Sequence, residues 1–164
     1  MADFAHSTET TIDAAPKAVF DIVSDLSLHA ELAGSGEIDT ASQQPPGTVG
    51  VGTRLVADET VRFGDGHTMP VTAESVVVLF DPPTALSWIV NPALAERLRR
   101  VQWRYQLLPE GEGTRVVHEV EIDFGDLQDE TLKGLRDHFE QARAGVIRTG
   151  MAKTLENLKT MAER

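Results

Sequence analysis

The feature that most constrains this chain is a hydrophobic period that changes once near each end. Residues 6–13 alternate around Thr8, Thr10 and Ile12, the period of two expected of a strand. The run "DAAP" stops it. Pro16 suits a first helical turn, where its missing N–H would have had no partner. Val19, Phe20, Val23 and Leu26 follow at helical spacing, so 16–24 is expected to be a short amphipathic helix. Ser27 is expected to cap a second short helix through Leu32, ended by Gly34 and Gly36.

From there to about residue 124 the sequence reads as strand and turn. Expected strands are 35–42, 52–63, 70–80, 85–90, 100–108 and 115–124, separated by "QQPPGTVGVG", "GDGH", "DPP", "NPA" and "PEGEG". Short turns between consecutive strands imply an antiparallel meander. The segment "ALAERLRR" reads equally as a helical turn or a loop. The last third changes period again. Phe139, Ala142, Val146, Ile147, Gly150, Met151, Leu155, Leu158 and Ala162 share a slowly drifting helical face, while Glu140, Arg143, Arg148, Lys153, Glu156 and Lys159 lie mostly opposite. This predicts a helix of at least about twenty residues, with 127–137 as its lead-in.

A sheet face must be covered, and only the last helix is long enough to cover seven strands. The expected fold is therefore α+β. A curved seven-stranded antiparallel sheet grips the long C-terminal helix over a cavity, and two short helices after the first strand close one end. Residues 1–164 are expected to form one domain, a usual size for a single core.

Composition narrows the partners. The formal charge of -11 repels phosphate backbones and anionic lipid, so neither nucleic acid nor membrane is an expected partner. With no cysteine, thiol nucleophiles, disulfides and thiolate metal sites are excluded. No apolar run reaches the length of a membrane helix and no signal peptide is visible, which predicts a cytoplasmic protein.

Several segments resemble those of one superfamily. They are "IDAAPKAVFDIVSDL" at 12–26, "VGVGTRL" at 49–55, "VVVLFDPPTALSW" at 76–88, "WRYQLLPEGEGTRVVHEVEI" at 103–122 and the closing "GMAKTLENLKTMAER". In that order they are similar to the START-like, helix-grip proteins labelled SRPBCC, especially the polyketide cyclase/dehydrase-like branch. The resemblance implies a deep cavity between sheet and long helix, used for lipids, polyketides, hormones or aromatic metabolites. Members include cyclases, carriers, ubiquinone-binding proteins and activators of a chaperone ATPase.

Strand alternation then assigns candidate residues to that cavity. On 115–124, Val116, His118, Val120, Ile122 and Phe124 share the apolar face, which carries His118 inward. On 100–108, Trp103 and Tyr105 share the inward face, and Trp88 belongs to that of 85–90. Aromatic walls with a few polar atoms suit a planar apolar ligand; the plain alternative is that both tryptophans are core packing. Val146 and Gly150 on the long helix complete the expected ligand-binding lining. His118 has a pKa suited to proton transfer, and its alternative is a hydrogen-bonded structural histidine. His29 is expected to be a solvated loop residue near the mouth. Glu74 alternates with Val76, Val78 and Phe80 and is a second candidate acid or base. Arg54 would bind a carboxylate or enolate if inward. Both are ambiguous in phase, because Val77 and Leu79 make the other face equally apolar. No histidine pair has metal-ligand spacing, so no metal or cofactor is expected.

Three functions follow from these residues. The first is binding of a small, mostly apolar molecule. The second is a polyketide cyclase/dehydrase-type enzyme using His118, Glu74 or Tyr105 for proton transfer. The third and weaker one is a chaperone-activator-like interaction module. The doubly apolar "VVVLF" strand would supply its partner patch, or a homodimer contact.

Overall fold

The structure, a computed structural model, describes residues 2–90, 100–125 and 130–164. The undecided segment "ALAERLRR", apart from Arg100, and the start of the lead-in at Leu127 lie outside the described residues. Seven strands form one antiparallel sheet: β1 (Phe4–Ile12), β2 (Ile38–Gln44), β3 (Arg54–Arg62), β4 (Thr68–Asp81), β5 (Ala85–Val90), β6 (Arg100–Glu110) and β7 (Gly113–Asp123). Their order is β1-β7-β6-β5-β4-β3-β2, a meander whose last strand pairs with the first.

Between β1 and β2 come α1 (Pro16–Val23), a 3-10 turn (Leu26–Leu28) and α2 (His29–Leu32). Pro16 opens α1, as its locked φ favours. Ser27 is not the cap that the sequence suggests. The Asp25 carboxylate fills that role, accepting from the Ser27 N–H at 3.2 Å and the Ser27 hydroxyl at 2.6 Å. After β7 the chain forms α3 (Glu130–Asp137), a π-helical turn (Glu140–Ala144) and α4 (Gly145–Ala162). No helix among the described residues is long and apolar enough to cross a membrane.

Two apolar clusters hold the sheet to its helices. One joins Val19, Phe20 and Val23 of α1 to Leu86, Leu107 and Val116 of the sheet and to Leu155 and Leu158 near the end of α4. The other joins Phe4, Val120, Ile122 and Phe124 to Ala144, Ile147 and Met151. Close packing also fixes the loop after α2. The Gly34 N–H donates to Thr154 Oγ1 at 2.8 Å, and Asn157 Nδ2 donates to the Leu32 carbonyl at 3.1 Å.

One irregularity matters for the site. Val77 pairs with Trp88, but Leu79 pairs with Ser87, so Val78 is an extra residue in β4. Such a bulge inverts the inward set beyond it. Ala73, Ser75 and Val77 face inward before it, and Phe80 packs against the core after it, its ring 5.5 Å from that of Phe20.

Candidate functional site

Between the concave sheet and the C-terminal helices lies a cavity of about 290 Å³. Strand register builds its aromatic wall. Trp88 stands opposite Trp103 across β5 and β6, and Tyr105 opposite His118 across β6 and β7. The Trp88 and Trp103 rings stack with centroids 6.5 Å apart, and Tyr105 stacks on His118 at 4.3 Å. His29, carried by α2, reaches over this wall and lies 5.2 Å from Trp88. All five rings line the cavity.

Both histidines are deeply buried, at 5% exposure for His29 and 4% for His118. Among the described residues, neither nitrogen of His118, nor Nε2 of His29, has a hydrogen-bond partner. Burial, above all, lowers the His29 pKa to about 4, although the Val23 carbonyl and Asp25 push the other way. Burial and then the nearby His29 and His6 lower His118 to about 3. Both imidazoles are therefore neutral near pH 7. Burial also raises Tyr105, which stays a phenol.

The opposite end of the polarity scale is a cluster of charges in the same cavity wall: Glu37, Glu59 and Arg143. Arg143 comes from the π-helical turn. Its Nη1 donates to Glu37 Oε2 at 2.7 Å and its Nη2 to Glu37 Oε1 at 3.0 Å, a bidentate ion pair with both side chains largely buried. Nη1 also donates to the Arg62 carbonyl, and the Arg62 N–H donates to Glu37 Oε2. Glu59 sits on the inward set of β3 with Leu55, Ala57 and Val61, which Phe63 continues just beyond the strand. Burial, then the charge of Glu37, raises its carboxyl to about 7; Asp39 adds to this and Arg143 opposes it.

The sequence-derived candidates divide accordingly. Trp88, Trp103, Tyr105, His118 and Gly150 line the cavity. Glu74 and Arg54 do not. They pair with each other on the outer face, with 41% and 48% of their side-chain surfaces exposed. The bulge at Val78 is the reason: Phe80 faces in, but Glu74 and Val76 lie before the phase change. Val146 is half-buried and does not line the cavity; its neighbour Ile147 does.

Four ionisable lining residues escape the sequence reading: His29, Glu37, Glu59 and Arg143. Two left a signal. His29 falls midway between Leu26 and Leu32 at a spacing of three, and Glu59 interrupts an alternating set of apolar residues. Glu37 and Arg143 left none, since each reads as a surface charge until the helix is laid against the sheet.

Over residues 3–163 the chain matches the family model described as polyketide cyclase / dehydrase and lipid transport, and it belongs to that family. It is thus a member of the SRPBCC superfamily. No curated protein matches the chain significantly. Solved structures share its helix-grip fold. Zhui aromatase/cyclase from Streptomyces sp. R1128 is 14% identical with a TM-score of 0.69, the match covering 98% of this chain and 94% of that one. A Thermus thermophilus protein, TTHA0849, is 19% identical with a TM-score of 0.67, covering 97% of each chain. Major latex-like protein 151 from Panax ginseng is 12% identical with a TM-score of 0.67, covering 98% of each. The family supports a role in hydrophobic ligand binding or polyketide cyclisation.

Proposed function

We propose that the protein binds a small, mostly apolar molecule in the cavity between sheet and C-terminal helices. The observation that carries this reading is the run of packed rings, Trp88, Trp103, Tyr105 and His118, along one wall of a mostly apolar space. Flat π faces with few polar atoms select planar apolar ligands. The volume lies at the lower end of the ~300–1,000 Å³ of ligand pockets, which favours a body of one or two rings. Zhui is an aromatase/cyclase and shares the fold, so a cyclase reading is the second one. It would use neutral His118 to move a proton at a ligand enol or hydroxyl. Binding is preferred because the His118 nitrogens are covered by their neighbours. A substrate reaches them only if that packing opens.

Both tryptophans of the chain line the cavity, so its intrinsic tryptophan fluorescence reports on this site. Titration with small aromatic compounds should quench it saturably, and native mass spectrometry should find a co-purifying small molecule. Absence of both would sink the binding reading. His118→Gln separates the two functions. A catalyst loses on the order of 10²–10⁴ in turnover with little change in affinity. A carrier loses only about one hydrogen bond of affinity, roughly 1 kcal/mol.

A further inference from the structure

We propose that the molecule held in this cavity carries a protonated amine on its apolar body, with the Glu59 carboxylate as counter-ion. The inference rests on the binding reading above and gives it a ligand class.

It starts from a charge imbalance. Among the described residues, the cavity wall holds two carboxyl groups and one guanidinium: Glu37, Glu59 and Arg143. The one guanidinium is already committed, bidentate to Glu37 and bonded to the Arg62 carbonyl. Both Glu37 oxygens are taken as well, one of them twice. Glu59 is the surplus carboxylate. It faces the cavity between Ala57 and Val61, and across the ladder β4 sets apolar Val71 opposite it. The charged groups acting on it are Glu37, Arg143 and Asp39, two acids against one spent cation.

The imidazoles offer no second cation. His29 and His118 are more than nine-tenths buried, unpartnered at the nitrogens named above, and neutral. They leave the surplus charge unbalanced. A half-buried carboxylate facing a mostly apolar cavity is stabilised by a partner of opposite charge. Anionic ligands add to the repulsion, and neutral ones leave Glu59 to take up a proton, which its raised pKa permits. A protonated amine completes two ion pairs in place of one and a remainder. Amine binding then requires ionised Glu59, so affinity should fall as pH drops below about 7, where the site must first lose a proton.

The test uses the full chain and three probes of one shape: 1-naphthylmethylamine, 1-naphthalenemethanol and 1-naphthoate, titrated by calorimetry at pH 8 and pH 6. An alkylamine stays protonated at both values, as lysine does. The wild type at pH 8 should bind the amine at least about tenfold tighter than the alcohol, as a charge-assisted hydrogen bond predicts. The naphthoate should bind weakest. At pH 6 the amine should lose roughly tenfold in affinity, with the alcohol unaffected. Glu59→Gln should bring amine and alcohol to equal affinity, and Glu59→Asp should restore part of the preference. Equal binding of amine and alcohol by the wild type, or a preference that survives Glu59→Gln, overturns the amine assignment and leaves the binding reading intact. If no probe binds the folded protein, the amine assignment falls, and the binding reading falls with it where native mass spectrometry also finds no co-purifying molecule.

Discussion

Glu59 and the two buried histidines pull the stability of the protein in opposite directions as pH changes. His29 and His118, held at about 4 and 3, stay neutral in the fold where an unfolded histidine would protonate below 6.5. Their contribution is present above pH 6.5 and is lost as pH falls toward those values, by about 1.4 kcal/mol per unit for each. Glu59, raised to about 7 from 4.5, keeps a proton that the unfolded chain releases, so it weakens the fold as pH rises from 4.5 to 7. Between pH 6 and 5 the histidines outweigh it, and urea melts should show a net loss of about 1–2 kcal/mol. His118→Gln should flatten that slope. Glu59→Gln should stabilise by on the order of 2 kcal/mol at pH 8 and by little at pH 5; an equal gain at both would contradict the burial argument. At this scale, identity was legible where side chains alternate, as for Trp103, Tyr105 and His118. Protonation was not, because it is set by neighbours from distant parts of the chain.

Among the elements, the contact between the loop after α2 and α4 should be the least tolerant of added volume. A Cβ on Gly34 would run into the Gly150 carbonyl oxygen, Lys153 Cβ and Thr154 N, and two of these are backbone atoms that cannot rotate away. Gly34→Ala should cost about 1–3 kcal/mol in thermal or urea unfolding. Gly145, exposed and helical, meets nothing within 4 Å. Gly145→Ala should instead stabilise by about 1 kcal/mol. If the two variants behave alike, the close approach is not what holds this loop.

Element type was readable from period alone, and the expected strands overlap their observed spans closely except at the start of β2. The exceptions have local causes. Residues 35–37 precede β2: the Glu37 carbonyl still accepts from the Thr60 N–H of β3, while its side chain turns inward to Arg143. Glu74 could not be phased because the extra residue in β4 falls inside "VVVLF", where both faces are apolar, and Arg54 shares its outer face through the β3–β4 pairing. The π-helical turn is equally silent in sequence. There the Ala142 carbonyl accepts from the Gly64 N–H at 2.9 Å, and Arg143 points into the cavity although helical spacing puts it on the polar face.

For the whole molecule, α4 belongs to both apolar clusters, so its loss should not be local. Deleting residues 150–164 removes Met151, Leu155 and Leu158, all at most 3% exposed, together with the Thr154 anchor of the α2 loop. At roughly 25 cal/mol per Å² of apolar surface the loss is several kcal/mol, comparable to the stability of a typical domain. The truncated chain should show no cooperative unfolding transition by circular dichroism.

The sequence by itself determined the order of elements, the antiparallel meander, the gripped helix and the aromatic side of the cavity. Those follow from periods of two and 3.6, which are properties of neighbouring residues. Tertiary structure alone decided which carboxylates face inward, how many of them find a cation, and that both buried histidines are neutral. A bulge, a π-helical turn and a cross-chain ion pair each change what a residue faces without changing the pattern around it. Charge inside a cavity is a sum over residues brought together from Glu37 to Arg143, and no stretch of the chain contains that sum.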